Sequence, residues 1–217
     1  MKSKDLKILR KKLLKAQKID CNFILNHLSQ DALNKLIENG SANSSELQQK
    51  FSLKFFRSVD LPEKIFNECL SLFEKNMGNM YRKSSWGLNM EEKKAEFKHK
   101  NAQYLLLSGD SVLAGFVHFR FEFDDDESPS QIVLYVYEIQ VDEMYRRRGL
   151  GSELMDVIEA LAQNADVTKI MLTVFKSNES AIKFYMHRQY SIDKCSPSEY
   201  NEVADYEILS RPLVSET

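Results

Sequence analysis

Three cysteines, seven glycines, four prolines and one tryptophan are sparse provision for 217 residues. Cys21, Cys69 and Cys195 are odd in number, far apart and at no metal-ligand spacing. They exclude a disulfide scaffold and point to a reducing compartment. No apolar run is long enough to cross a bilayer, and the basic start lacks the apolar stretch of a signal peptide. The expected location is the cytoplasm and nucleus, with no membrane partner. There is no internal repeat and no long low-complexity segment, which excludes an array of repeated units. Net charge is only −2 and gives no nucleic-acid signature for the chain as a whole.

The charge is unevenly placed. Eight of the first eighteen residues are Lys or Arg, whereas Asp124, Asp125, Asp126 and Glu127 form an acidic run. At 43% hydrophobic and 29% charged, the chain suits one globular domain with appendages. We divide it into a basic, helical extension over 1–59 packed on a domain over 60–217.

Leu6, Leu9 and Leu13 share one face of a helix predicted over 4–19. That helix is either a packing element or a basic surface for nucleosomal DNA or a ribosome. A second helix is expected between Ser29, a capping residue, and Gly40, followed by a polar linker over 43–46. Residues 51–59 form a strand or an irregular apolar segment. Pro62 starts a helix carrying Ile65, Cys69 and Leu72, and 90–100 reads as a surface helix. Strands follow over 104–107 and 112–121, the second half-exposed because Arg120 and Glu122 alternate with phenylalanines. Ile132 to Val141 is almost wholly apolar, as in a strand buried on both faces. Leu150, Leu154, Ile158 and Leu161 mark a helix. Strand 169–175, helix 179–188 and strands at 190–193 and 206–209 complete the pattern. The order specifies an α/β fold: one mixed sheet flanked by helices.

Two of the few glycines sit together in Arg146-Arg147-Arg148-Gly149-Leu150-Gly151, between the buried strand and a helix N-terminus. Glycines there let backbone amides approach a ligand, and a helix start favours phosphate. The P-loop and the three-glycine dinucleotide fingerprint are both absent. One strand–helix unit later come Asn178, Ala181, Phe184 and Tyr185.

With that context the chain resembles the GNAT superfamily of acetyl-CoA-dependent N-acetyltransferases. It is similar in particular to the N-alpha-acetyltransferase D branch, which acts on the N-termini of histones 4 and 2A. The similarity rests on Asn76-Met77 to Tyr81 and Trp86-Gly87, His118 to Phe121, Leu134 to Glu138, Arg147 to Gly151, Met171 to Lys176 and Tyr206 to Arg211.

The resemblance implies a GNAT fold, acetyl-CoA as co-substrate, no metal, and direct attack by an amine in a ternary complex. It assigns Glu138 as general base, with Tyr137 the alternative because a bulge on that strand can re-aim a side chain. Simple alternation groups Glu138 with Leu134 and Val136. Ile139, Gln140, Val141, Arg146, Arg147, Arg148, Gly149, Leu150, Gly151, Ser152 and Asn178 are implied to bind the cofactor. Tyr81, Trp86, Glu122, Tyr135, Tyr137, Thr173, Cys195 and Tyr206 are implied to bind substrate, with Cys195 standing where the branch has serine. Tyr185 is a possible leaving-group acid. His118 and His187 read as structural, and a monomer is expected. The implied activity is acetylation of the N-terminal serine of Ser-Gly-Arg-Gly tails. A lysine or polyamine acetyltransferase and a non-catalytic tail-binding module are the alternatives.

Overall fold

The computed structural model describes residues 3–19, 21, 51–125 and 127–213. The helix expected between Ser29 and Gly40, the linker over 43–46 and Asp126 lie outside them. Seven strands form one sheet: β1 Phe51–Arg57, β2 Gln103–Gly109, β3 Val112–Phe123, β4 Ile132–Val141, β5 Lys169–Phe175, β6 Ser191–Ile192 and β7 Tyr206–Pro212. Their spatial order is β1-β2-β3-β4-β5-β7-β6, and only β4 and β5 are parallel. The helices are α1 Ser3–Gln17, α2 Glu63–Lys83, α3 Met90–Phe97, α4 Leu150–Asn164 and α5 Glu179–His187. This is the mixed α/β architecture expected.

Strand alternation sends side chains to two cores. Leu105, Leu107, Val117, Phe119, Leu134 and Val136 meet Leu154, Ile158 and Leu161 of α4, and Leu9 and Leu13 of α1 pack on the same face. Tyr104, Leu106 and Phe116 point the other way, against Phe66, Phe73 and Phe97 of α2 and α3. Segment 51–57 is a true strand, paired with β2 along its whole length.

Two irregularities of β4 create the site. It pairs with β3 as far as Val141, but with β5 only from Leu134 to Val136. Beyond that point the parallel strands part, and residues 137–141 border a gap. The β3 register also slips: His118 lies opposite Glu138 and Phe119 opposite Val136, so Tyr137 is an extra residue. This bulge reverses the alternation. Leu134 and Val136 face the α4 core, and so do Ile139 and Val141 after it. Glu138 and Gln140 therefore turn to the α2–α3 face. Simple alternation, which groups Glu138 with Leu134 and Val136, is corrected here.

Three further expectations need correction. The helix after residue 90 is not a pure surface element, because Lys93 and Phe97 are buried. Strand β3 is not half-exposed: it is buried from Ala114 to Phe121, Arg120 included. The α2–α3 layer covers its second face. The strand expected over 190–193 shrinks to Ser191 and Ile192.

Candidate active site

The bulge brings Tyr137 and Glu138 to one face. Glu138 is only 5% exposed. The Lys93 ammonium stands 2.6 Å from its Oε1, and Gln140 Nε2 donates to its Oε2 at 2.7 Å. Burial pushes the Glu138 carboxyl above the usual carboxylate range, and Lys93 opposes that rise. For Lys93, burial works against the charge, but the Glu138 and Glu96 carboxylates outweigh it and hold the ammonium protonated. Lys93 had no signal in the sequence beyond its place in a mixed-charge helix.

Beside Glu138 lies a polar and aromatic groove. Tyr137 Oη donates to Glu122 Oε2 at 2.7 Å, and the Arg120 guanidinium lies 4.1 Å from the centre of the Tyr137 ring. Arg120 also reaches Glu122 at 3.6 Å. Burial first, then the Glu122 charge, raise the Tyr137 phenol, so this residue stays a hydrogen-bond donor. That argues against Tyr137 as the base. Tyr135 Oη and Thr173 Oγ1 are 2.6 Å apart, and burial raises Tyr135 to about 12. Tyr81, Trp86 and Tyr206 converge around Phe175: Trp86 lies 4.9 Å from Tyr206 and 5.1 Å from Phe175, and Tyr81 lies 5.0 Å from Phe175, between ring centres. Phe175 was not singled out in the sequence, where it reads as one more apolar strand residue. The half-exposed Trp86 is held by its neighbour. Ser85 N–H donates to Asp205 Oδ2 at 2.6 Å and ties this loop to the start of β7.

The gap between β4 and β5 offers a different chemistry. Asp142 N–H donates to Ala114 O on β3. By alternation along an antiparallel pair, Ile139 and Val141 turn their amides to the gap, while Gln140 turns its own to β3. The implied role of Gln140 thus passes to its side chain, which bridges Glu138 and Asn76. At the end of the gap Gly149 takes φ +79° at the N-cap of α4, and Arg147, Arg148 and Gly149 are exposed. Leu150 is buried in the core beneath, with Gly151 above the Phe184 ring. Arg146 is a clamp: its Nε donates to Val141 O at 3.0 Å and its Nη2 to Asn76 Oδ1 at 2.6 Å. Ser152 Oγ accepts from Arg188 at 2.7 Å. Asn178 caps α5 by accepting from Ala181 N–H. Tyr185 is buried in the α4 core, and burial, then the Glu138 charge, raise its phenol.

A strand bordering a gap with free amides and leading into a glycine-started helix is a cradle for an extended phosphate-bearing ligand. The comparisons agree. Residues 66–189 match the model of the acetyltransferase (GNAT) family. The chain belongs to that family. The GNAT fold recurs in an acetyltransferase from Streptococcus agalactiae, 15% identical with TM-score 0.58, covering 75% of this chain and 98% of that one. It recurs too in PaiA N-acetyltransferase from Thermoplasma acidophilum, solved in complex with coenzyme A. That protein is 14% identical, with TM-score 0.54, over 75% of this chain and 99% of that one. At such identities the likeness shows the fold. N-alpha-acetyltransferase 40 of Saccharomyces cerevisiae is 26% identical over a 146-residue alignment that takes in 57% of this chain and 50% of the yeast protein. The chain thus spans about half the length of that relative.

The matched family is one of acetyltransferases, whose co-substrate is acetyl-CoA. No group of His, Cys, Asp and Glu that could hold a metal occurs among the described residues. Cys195 lies at the groove's rim, near Tyr135. Burial and Asp193 push its thiol up to about 11, so at neutral pH it is a weak donor. The acidic run is turned on itself: Asp124 caps Ser130 and Gln131, and Asp125 accepts from Glu127 and Ser128.

Proposed function

We propose that this GNAT enzyme acetylates protein N-terminal α-amines, taking as substrate the N-terminal serine of Ser-Gly-Arg-Gly tails such as those of histones 4 and 2A. The observation that carries the reading is the groove itself. The aromatic rings of Tyr81, Trp86 and Tyr206 and the carboxylate of Glu122 lead to the bulge that presents Glu138. An acidic, aromatic groove suits a basic peptide. The yeast relative's name supports α-amine chemistry, and the resemblance of the groove residues supports the tail.

Bound acetyl-CoA would supply a thioester carbonyl for the amine to attack, its C–S bond breaking as the C–N bond forms and coenzyme A leaving as the thiolate. The Ile139 and Val141 amides face the gap where such a carbonyl would be polarised. Glu138 takes the proton that the amine loses. An α-amine has a pKa near ~8, so a modest base is enough, whereas a lysine near ~10.4 needs more help. Glu138, raised by burial, is such a base. Cytoplasm and nucleus are the compartments that suit this substrate. Docking on a ribosome or nucleosome through the basic face of α1 belongs to the same proposal.

The test is acetylation of a Ser-Gly-Arg-Gly-Lys peptide, with the acetyl group located by tandem mass spectrometry beside an N-terminally blocked peptide. Acetyl on the serine α-amine alone is the expected result. Acetyl on lysine in both peptides moves the substrate to side-chain amines, and no turnover with tight peptide binding makes the groove a binding module. Glu138→Gln should cut the chemical step by about 10²–10⁴-fold, the usual worth of a general base. An unchanged rate under chemistry-limited conditions removes Glu138 from that role.

A further inference from the structure

The base assigned above is buried, and a buried carboxylate costs free energy unless something keeps its charge. Lys93 is placed to do so. All three of its protons have partners: Glu138 Oε1 at 2.6 Å, Glu96 Oε1 at 2.7 Å and Tyr81 Oη at 3.3 Å. The ammonium lies 4.7 Å from the Phe73 ring centre, 5.3 Å from that of Tyr81 and 5.6 Å from that of Phe97. These faces favour a cation and exclude water. The other Glu138 oxygen is fixed by Gln140, whose own Oε1 accepts from Asn76.

We propose that Lys93 is a positioning residue for acetyl transfer, holding the Glu138 carboxylate charged and aimed at the bulge. The inference rests on the reading of Glu138 as base. Its physical content is a triad of two carboxylates and one ammonium with a net charge of −1. One ammonium keeps Glu138 from binding a proton before the substrate arrives. The second carboxylate, Glu96, holds Lys93 in place and leaves the triad one negative charge in excess, which attracts the ammonium form of an incoming amine. Relay of the proton through Lys93 is disfavoured, because two carboxylates hold that amine charged.

The groups facing Glu138 define what else could set its charge. Lys93 and Glu96 come from α3 and Tyr81 from α2. His118 lies opposite on β3, Tyr104 looks in from β2 and Tyr185 from α5. The three phenols are raised and His118 is held neutral, so none of them carries the positive charge that Glu138 needs.

The experiment compares wild type, Lys93→Met, Lys93→Arg and Glu138→Gln. The Glu138 carboxyl is followed by ¹³C NMR titration, assigned by its loss in Glu138→Gln, beside the pH profile of kcat/KM. Without Lys93 a buried base protonates more readily, so its titration and the acid limb should both move to higher pH, by about 1–3 pH units. At a fixed pH below the limb, the rate then falls about tenfold for each pH unit that the limb has moved. Lys93→Arg should restore the titration. An unmoved carboxyl titration in folded Lys93→Met overturns the proposal. A moved titration with an unmoved acid limb keeps Lys93's hold on the charge and sinks the base reading instead. If Lys93→Met does not fold, Lys93→Gln takes its place in the same comparison, and a carboxyl titration there equal to that of wild type overturns the proposal.

Discussion

His118 is a side chain whose chemistry the fold suppresses. It is fully buried, stacked 5.0 Å from Tyr104 and 5.1 Å from Tyr137, ring centre to ring centre. Neither ring nitrogen has a hydrogen-bond partner among the described residues. Burial, then the nearby Arg120 and Lys93 charges, keep the imidazole well below its ordinary pKa and therefore neutral. The sign of the consequence follows from linkage. A base whose folded pKa is depressed takes up its proton more readily when unfolded, so acid favours the unfolded chain. This residue's contribution to stability is whole above about pH 6.5 and declines below it, by up to about 1.4 kcal/mol per pH unit. Urea melts at pH 7.5, 6.5 and 5.5 should show that slope reduced in His118→Phe, which keeps a ring to stack. Equal slopes would remove His118 from the acid sensitivity in this window; carboxylates such as Asp193 and Glu207, held below the usual range by their partners, destabilise the fold only at lower pH, below about 4.5. Reading His118 as structural in the sequence agrees with this packing, but no pattern announced that it sits directly under Tyr137.

At the scale of elements, the parting of β4 from β5 and the bulge do most to make a site. Their existence was legible only in outline. An apolar run with one glutamate shows that a carboxylate enters a buried strand, but its side depends on a one-residue slip of register that composition does not encode. Lys93 was illegible for a related reason: a lysine in a mixed-charge helix looks solvated until the aromatic floor of Phe73 and Phe97 is placed beneath it. Gly115 pairs with Val141, beyond the bulge. A Cβ there would lie 2.6 Å from Gln140 O, so the β3–β4 pair needs glycine for its closest approach. Gly115→Ala should cost about 1–3 kcal/mol, as overpacking does, and should weaken coenzyme A binding because the Ile139 and Val141 amides move with β4. At Gly78, inside α2, an added Cβ lies 3.2 Å from the Arg82 guanidinium and 3.3 Å from Glu74 Cγ, two flexible side chains that must shift by a few tenths of an ångström. There alanine should stabilise by about 0.5–1 kcal/mol through helix propensity. Thermal melts of the two variants should shift in opposite directions; two upward shifts would mean that β3 and β4 adjust without strain, and two downward shifts that Arg82 and Glu74 do not yield to the Gly78 methyl.

At the scale of the whole molecule, α1 joins a terminal segment to the sheet, and its two faces make separate claims. Leu9, Leu13 and Ala16 reach the α4 core, and Gln17 donates to Phe121 O at 3.0 Å. Lys7, Arg10, Lys11, Lys12 and Lys15 face solvent, and the Lys15–Asp166 pair is 78% and 74% exposed on its two sides. An ion pair so exposed adds little to stability. The apolar face therefore anchors the helix, while the basic face is free for a partner. The leucine spacing made the first role legible in the sequence; charge alone offered the second. Replacing Leu9 and Leu13 together by alanine should cost about 1–2 kcal/mol each, less than a full core site because both are half-buried. A fall of about 2–4 °C in Tm per kcal/mol follows for a domain of this size. Changing Lys7, Lys11, Lys12 and Lys18 to glutamate should leave Tm nearly unmoved, as exposed substitutions do. If the basic face docks on a ribosome or nucleosome, the same charge change should abolish salt-dependent binding to that particle while the turnover of a short peptide, which needs only the groove, stays intact. Binding unchanged by reversal of four charges would leave α1 with its packing role alone.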